Sequence, residues 1–184
     1  MANESELIIK QTQTWLHSFV VKFNLCPFAR REINRRSLRI TVSRTQKIEK
    51  AIKDFLHEII LLDRQQKIET TLLIFSYLFE DFSDYLDFIN LCEEILRKKN
   101  YEGSYQIASF HPDYCFADEA PTDVSNYTNR SPYPMIHLLR EESLEKAIQL
   151  YGETTIIPAN NIKTLQKLGL EEIKKILLHC KLSN

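Results

Sequence analysis

The sequence has almost no net charge, no closely spaced cysteines and no long hydrophobic run. Its 184 residues contain 24 Lys and Arg against 25 Asp and Glu, which gives a net charge of −1. A chain this close to neutral has no overall field that would attract nucleic acid or anionic lipid. The cysteines lie far apart, so neither a zinc-binding spacing nor a disulfide framework is visible. We therefore predict no metal site and no nucleic-acid partner, although six arginines between Arg30 and Arg44 form a local basic run.

Sequence features of membrane and secreted proteins are also lacking. No apolar segment approaches the roughly 18 residues of a membrane-spanning helix. The first residues, Met-Ala-Asn-Glu-Ser-Glu, lack the basic start and apolar run of a signal peptide. The composition, 43% hydrophobic and 27% charged, is typical of a globular protein that can bury a core. We expect a soluble, cytoplasmic protein without a membrane-bound part.

Hydrophobic periodicity predicts alternating strands and helices. Strands are predicted over residues 38–43, 70–76 and 105–110, with a fourth candidate over 135–139. Helices are predicted over about 5–23, 27–36, 48–60, 83–99, 141–151, 160–168 and 171–180. This alternation indicates an α/β fold with a small, mainly parallel, possibly mixed sheet of about four strands flanked by helices.

We predict a single domain over residues 1–184. An N-terminal helical segment (5–37) precedes an α/β core (38–140), and C-terminal helices (141–184) follow. The core contains an unusual segment, the proline-rich loop (residues 111–134), which holds four of the six prolines and shows neither helical nor strand periodicity. Its tyrosines make disorder a poor explanation, and long ordered loops are commonly functional.

The chain's candidate site residues are concentrated in and just after this loop. His111 and Asp113 have the chemistry of a general acid or base and its orienting partner, and Cys26 is a possible nucleophile. Seven further side chains could bind a phosphate or carboxylate: Asn126, Thr128, Asn129, Arg130, Ser131, His137 and Arg140.

Each of these residues also has a structural explanation. The polar side chains could hold the loop by local hydrogen bonds, and His137 could be a core histidine. If a short helix begins at Pro27, Cys26 would be its N-cap with a lowered thiol pKa; a small buried hydrophobe is the alternative. Whether Cys26 lies near His111 is left open by the sequence.

Several motifs resemble a known family. They are Asn24-Leu25-Cys26-Pro27-Phe28-Ala29, His111-Pro112-Asp113-Tyr114, and the segment from Asn126 to Glu141. Together they resemble the bacterial family DUF1415, a domain of unknown function, over nearly the whole chain. The resemblance implies a single whole-chain domain with a site in the loop, and no mechanism.

A second, four-residue resemblance is to other proteins. Cys26-Pro27-Phe28-Ala29 looks like the Cys-Pro-Phe-Ala of omega-class glutathione transferases and the Cys-Pro-aromatic start of glutaredoxins. In those proteins a strand precedes the cysteine, whereas here a helix is predicted.

Two functions are compatible with these observations. The first is an enzyme that binds a small anionic molecule in residues 111–141, with His acid–base chemistry and Arg anion binding. The second is a non-catalytic binding or regulatory module that uses the same loop as a partner surface. The sequence identifies no cofactor, substrate or oligomeric state.

Overall fold

The computed structural model describes residues 4–183. Helices and strands alternate as predicted, and their bounds are α1 (Glu4–Trp15), a π-helical segment (Leu16–Val21), α2 (Ala29–Arg35), β1 (Leu38–Ser43), α3 (Ile48–Arg64), β2 (Thr70–Phe75), α4 (Phe82–Lys98), β3 (Tyr105–Phe110), a 3₁₀ turn (Val124–Thr128), β4 (Met135–Arg140), α5 (Glu141–Tyr151), α6 (Ile157–Leu168) and α7 (Leu170–Leu182). Within the described residues, no helix is both long and apolar enough to cross a membrane.

The four strands form one mixed sheet in the order β1-β2-β4-β3. β1 and β2 pair in parallel, whereas β4 is antiparallel to both of its neighbours. The strands β1, β2 and β3 therefore run in the same direction, and β4 is inserted against them. The predicted α/β class and the four strands are confirmed, and the sheet is of the mixed kind, with one parallel pair.

Helices α3 and α4 cover one face of the sheet. The apolar stripe of α3 is formed by Ala51, Phe55, Ile59 and Leu62, all fully buried. These side chains belong to a cluster that includes Leu73 of β2 and other strand residues of that face. The i, i+3, i+4 spacing of the stripe is what holds the helix flat against the sheet.

The opposite face is covered by helices from both ends of the chain. Trp15 and Phe19 pack there with Leu72 of β2, and residues from α6 and α7 complete the cluster. The two ends also touch directly, because the Gln11 side-chain amide donates to the Lys181 carbonyl at 2.6 Å. The N-terminal and C-terminal helical segments therefore share one hydrophobic layer.

The turn between the π-helical segment and α2 places Cys26. Asn24 has a φ of 53°, a left-handed conformation that asparagine tolerates better than most residues. The Leu25 N–H then donates back to the Val20 carbonyl at 2.9 Å. Helix α2 begins at Ala29 with Phe28 as its N-cap, so the prediction that Cys26 is the N-cap is wrong. A separate turn, closed by the Ala29 N–H and the Cys26 carbonyl at 3.2 Å, comes first.

Candidate functional site: a cavity on one face of the sheet

His111 lies directly after β3 and is fully buried. Its Nδ1 accepts from the Asp113 backbone N–H at 3.0 Å, and its Nε2 is 2.8 Å from the Phe79 carbonyl. A backbone N–H can only donate and a carbonyl can only accept, so the ring is neutral with its proton on Nε2. Burial lowers the pKa of His111, and this lower pKa favours the neutral imidazole. The predicted partner Asp113 contributes its backbone to this arrangement.

Asparagine and hydroxyl side chains hold the proline-rich loop in shape. Asn126 is fully buried; its Oδ1 accepts from the Phe116 N–H at 2.9 Å and its Nδ2 donates to the Ala120 carbonyl at 2.8 Å. Asn129 Nδ2 donates to the Ser109 carbonyl at 3.1 Å. The remaining two predicted residues make the same kind of bond: Thr128 donates to the Ser125 carbonyl, and Ser131 donates to the Tyr133 carbonyl.

The two predicted anion-binding arginines are also bonded to the protein. Arg130 Nε donates to the Tyr114 carbonyl at 3.1 Å and Nη2 to the Pro121 carbonyl at 2.9 Å. Its guanidinium lies 4.3 Å from the centre of the Tyr127 ring. Arg140 Nε donates to the Ile68 carbonyl at 3.1 Å, just before β2. Both guanidinium groups thus donate hydrogen bonds to backbone carbonyls of the protein.

A cavity of about 230 Å³ lies on the sheet face opposite α3 and α4. We call it the sheet cavity. Its walls come from all four strands, the π-helical segment, α2 and α5, and most of them are apolar side chains, including Leu16, Val20, Phe28, Leu38, Leu72, Ala108, Phe110, Leu139, Leu144 and Ala147. Three of the predicted site residues also line it: Cys26, His137 and Arg140.

The sheet separates the predicted catalytic residues Cys26 and His111. His111 packs against the rings of Phe82 and Tyr85, each 5.1 Å away between ring centres, on the α4 side of the sheet. Cys26 packs against the hydrophobic cluster on the opposite face of the sheet. There it lines the sheet cavity together with His137. The structure therefore brings Cys26 together with His137 and not with His111.

His137 provides the polar group at the centre of the cavity floor. It is paired with Leu72 of β2 and Ala108 of β3, so these three side chains form a row across the sheet on one face. Its Nε2 lies 2.5 Å from Thr70 Oγ1. That hydroxyl also donates to the Leu138 carbonyl at 2.6 Å. The hydroxyl has one proton and donates it to the Leu138 carbonyl, so it accepts from the imidazole. The imidazole therefore donates from Nε2, and Nδ1 keeps its lone pair.

Desolvation keeps His137 and Cys26 uncharged at neutral pH. Burial lowers the pKa of His137 to about 4. Burial also raises the pKa of the Cys26 thiol, and this exceeds the opposing effect of hydrogen bonds from the Phe28 and Ala29 backbone. The cavity therefore contains a neutral imidazole and a protonated thiol.

Two carboxylates and one hydroxyl add to the polar part of the wall. Glu32 accepts from the Ser37 hydroxyl at 2.5 Å, and Glu69 accepts from the Ser143 hydroxyl at 2.5 Å. Glu32, Glu69 and Ser143 all line the cavity. Over residues 4–183 no three His, Cys, Asp or Glu side chains are grouped so that they could hold a metal ion.

Several cavity residues were not predicted from the sequence. Trp15 lines the cavity with its indole N–H buried and unpartnered among the described residues, but its place on a helical stripe indicated only core. Thr70 begins a strand that is apolar from Leu72 onward, and its hydrogen bond with His137 depends on a strand pairing that the sequence does not reveal. A polar residue at the start of a fully buried strand was the available signal.

The fold and site define an α/β protein with an apolar cavity between a mixed sheet and its covering helices. The chain belongs to the family described as "Protein of unknown function (DUF1415)", whose family model matches residues 7–175. This confirms the resemblance drawn from the sequence motifs. No curated protein and no solved structure matches the chain. The helix that precedes Cys26 also distinguishes this turn from the strand that precedes the cysteine in glutaredoxins.

Proposed function

We propose that the protein binds a small, largely apolar molecule in the sheet cavity. The observation that carries this proposal is the space of about 230 Å³ among apolar side chains. Protein interiors are close-packed and contain few voids larger than a water molecule. An apolar cavity of roughly 150 Å³ takes up benzene, so this one suits a ligand of on the order of ten non-hydrogen atoms.

The π-helical segment supports a site at this place. Leu16 and Val20 belong to that segment and line the cavity. π-helical turns are rare and occur frequently at functional sites, because they cost helix stability and persist where they position side chains. Here the segment directs the chain into the turn that carries Cys26.

The small anionic molecule that the sequence suggested for the loop stays a prediction. The hydrogen bonds of Arg130 and Arg140 to backbone carbonyls support a structural role, since an anion would have to compete for the same N–H groups. The aromatic side chains of the loop are likewise packed: Tyr127 is buried, and Tyr114 contacts Phe82 and Phe116. This favours the sheet cavity over the loop surface as the binding site.

A binding role is favoured over covalent catalysis. The thiolate is the nucleophilic form of cysteine, and burial raises the pKa of the Cys26 thiol away from that form. A neutral thiol and a neutral imidazole are compatible with holding a ligand. This supports a binding protein rather than the enzyme suggested by the sequence, with the sheet cavity as its site rather than the loop surface of the suggested binding module.

A ligand-binding test uses para-ethyltoluene as an apolar probe and inorganic phosphate as an anionic one. We expect para-ethyltoluene to raise the melting temperature of the wild type and to change the fluorescence of Trp15, the single tryptophan, which lines the cavity. A ligand at 100 times its dissociation constant adds about 2.7 kcal/mol to the free energy of unfolding. That corresponds to several degrees for a domain of this size.

Two matched variants locate the binding. Ala147 lines the cavity from α5, so Ala147→Leu should fill part of the space and abolish the effect of para-ethyltoluene. Ala159 is an exposed helical alanine of α6, and Ala159→Leu should respond like the wild type. A wild type that ignores the apolar probe, and is stabilised by phosphate only while Arg130 is intact, would overturn the proposal in favour of the loop.

A further inference from the structure

Resting on the proposed function, we infer that the ligand is an uncharged molecule that donates a hydrogen bond to Nδ1 of His137. A phenol or an alcohol with an otherwise apolar body has this chemistry. The inference concerns which polar group the cavity recognises, and it follows from the fixed proton positions around Thr70 and His137.

The hydrogen bonds of Thr70 determine which imidazole nitrogen carries the proton. Thr70 Oγ1 must use its single proton at the Leu138 carbonyl, 2.6 Å away, because that oxygen cannot donate. At 2.5 Å from Nε2, the same hydroxyl can therefore only accept. His137 holds its proton on Nε2, and Nδ1 is left as an acceptor with no hydrogen-bond partner among residues 4–183.

The register of the sheet places the His137 side chain, which carries this acceptor, among the residues that line the cavity. His137 stands between Leu72 and Ala108 in one row, and all three side chains line the sheet cavity. The neighbouring row of this face contributes Leu38, Thr70 and Leu139. An isolated acceptor on an apolar floor is satisfied best by a ligand with one donor on an apolar body.

The charges around the cavity disfavour an anion. Glu32 and Glu69 line the wall, and each carboxylate accepts from a serine hydroxyl. Arg140 is the one cationic side chain among the lining residues, and its Nε and Nη1 donate to the Ile68 carbonyl and the Tyr105 hydroxyl. The charge of Glu32 is partly offset by Arg31, whose Nε lies 3.4 Å from Glu32 Oε1. A carboxylate ligand would still meet the charge of Glu69 and no free guanidinium among the lining residues, and a neutral imidazole offers it no proton at Nδ1.

Four probes of similar shape test the inference by calorimetry on the wild-type chain. They are para-ethylphenol, which has a donor; para-ethylanisole, which has only an acceptor; para-ethyltoluene, which has neither; and para-ethylbenzoate, which is an anion. We expect para-ethylphenol to bind about three- to tenfold more tightly than para-ethyltoluene, the factor that one net hydrogen bond supplies. The anisole can accept from the unpartnered Trp15 N–H but has no proton for Nδ1, so it should bind less tightly than the phenol, and the benzoate should bind most weakly.

The variant His137→Phe keeps an aromatic ring at the centre of the row and removes both nitrogens. Thr70 can still donate to the Leu138 carbonyl in this variant, so the loss is confined to the imidazole. We expect para-ethyltoluene to bind His137→Phe at least as well as the wild type. The preference for para-ethylphenol should disappear.

The outcomes separate this inference from the proposed function. Equal affinities of the wild type for para-ethylphenol and para-ethyltoluene would overturn the donor inference and leave an apolar binding site intact. Tightest binding by para-ethylbenzoate would overturn it as well and restore the anionic ligand. If none of the four probes bound, the proposed function itself would fail. The wild-type series decides these points even if His137→Phe does not fold.

Discussion

Thr70 and His137 are joined across the β2–β4 pair by a hydrogen bond of 2.5 Å between Oγ1 and Nε2. They lie diagonally opposite each other on the face that lines the sheet cavity. The next residue, Thr71, points to the other face, where its hydroxyl is buried and has no hydrogen-bond partner in the described part of the chain. Of these two adjacent threonines, Thr70 is hydrogen-bonded through its hydroxyl, whereas the Thr71 hydroxyl has no partner in the described part of the chain.

We predict opposite effects for the same substitution at these two positions. Thr70→Val removes the acceptor of the His137 N–H and should lower the free energy of unfolding by about 1–3 kcal/mol, because a buried donor is left unpaired. Thr71→Val removes a hydroxyl that is buried without compensation, so it should be neutral or stabilising by up to about 1 kcal/mol. Urea unfolding of both variants measures the difference. Equal losses at the two positions would show that the Thr70–His137 bond contributes nothing specific.

The pH dependence of stability should contain a contribution from His137. Its pKa falls from 6.5 to about 4 on folding, so between those values the unfolded chain binds a proton that the folded chain does not. The free energy of unfolding should therefore be largest above about pH 6.5 and decrease as the pH falls toward about 4. Linkage gives this group a maximum of roughly 3 kcal/mol.

The variant His137→Gln isolates this contribution. Glutamine does not titrate, and it retains an amide N–H that can donate to Thr70. His111, whose pKa is also lowered by burial, is present in both proteins and cancels in the comparison. Urea unfolding across this pH range should show a smaller acid loss in the variant. Parallel curves for the two proteins would mean that His137 is not desolvated in the folded state.

Local patterns in the sequence were sufficient to predict the helices and strands, and insufficient to order the strands. The stripe of α3 from Ala51 to Leu62 determines a helix whatever lies opposite it, because its period is internal. The strand Met-Ile-His-Leu-Leu-Arg contains no comparable signal for its neighbours. Its place between β2 and β3 depends on pairings with residues far away in the chain. The sequence therefore predicted a mainly parallel, possibly mixed sheet, and the sheet is mixed, with one parallel and two antiparallel pairs.

The same limit applies to the candidate site. Asn126 and Arg130 have side chains that suit anion binding, but the same N–H groups also suit the backbone carbonyls of a long loop. The sequence cannot distinguish these uses, since it does not show which carbonyls come within reach. His137 and Cys26 were recognised as candidates by residue type. Their meeting at one cavity depends on how α2 folds back over the sheet.

Arg130 should stabilise the proline-rich loop through the two hydrogen bonds that its guanidinium donates to backbone carbonyls. Arg130→Lys keeps the charge but cannot reproduce the two bonds to the Tyr114 and Pro121 carbonyls. We predict faster amide hydrogen exchange across residues 111–130 and a loss of about 1–2 kcal/mol in the free energy of unfolding.

An exposed arginine serves as the control for this substitution. Arg44 pairs with Glu4 at the surface at 2.6 Å, and Arg44→Lys should leave the free energy of unfolding nearly unchanged, because exposed ion pairs contribute little. Unchanged exchange in the loop of Arg130→Lys, together with a loss of phosphate binding, would assign Arg130 the anion-binding role suggested by the sequence.

The thiol of Cys26 should be alkylated slowly, and ligand binding should slow its alkylation further. Burial raises the pKa of its thiol, so near neutral pH we predict that iodoacetamide alkylates Cys26 more slowly than free cysteine. Because Cys26 lines the sheet cavity, saturating para-ethylphenol should slow it further. Cys115 lies in the proline-rich loop, and its rate should not respond to the ligand. Peptide mapping by mass spectrometry measures both rates in one sample. Alkylation of Cys26 faster than free cysteine would instead indicate an activated thiolate, which is what a nucleophilic role in catalysis requires.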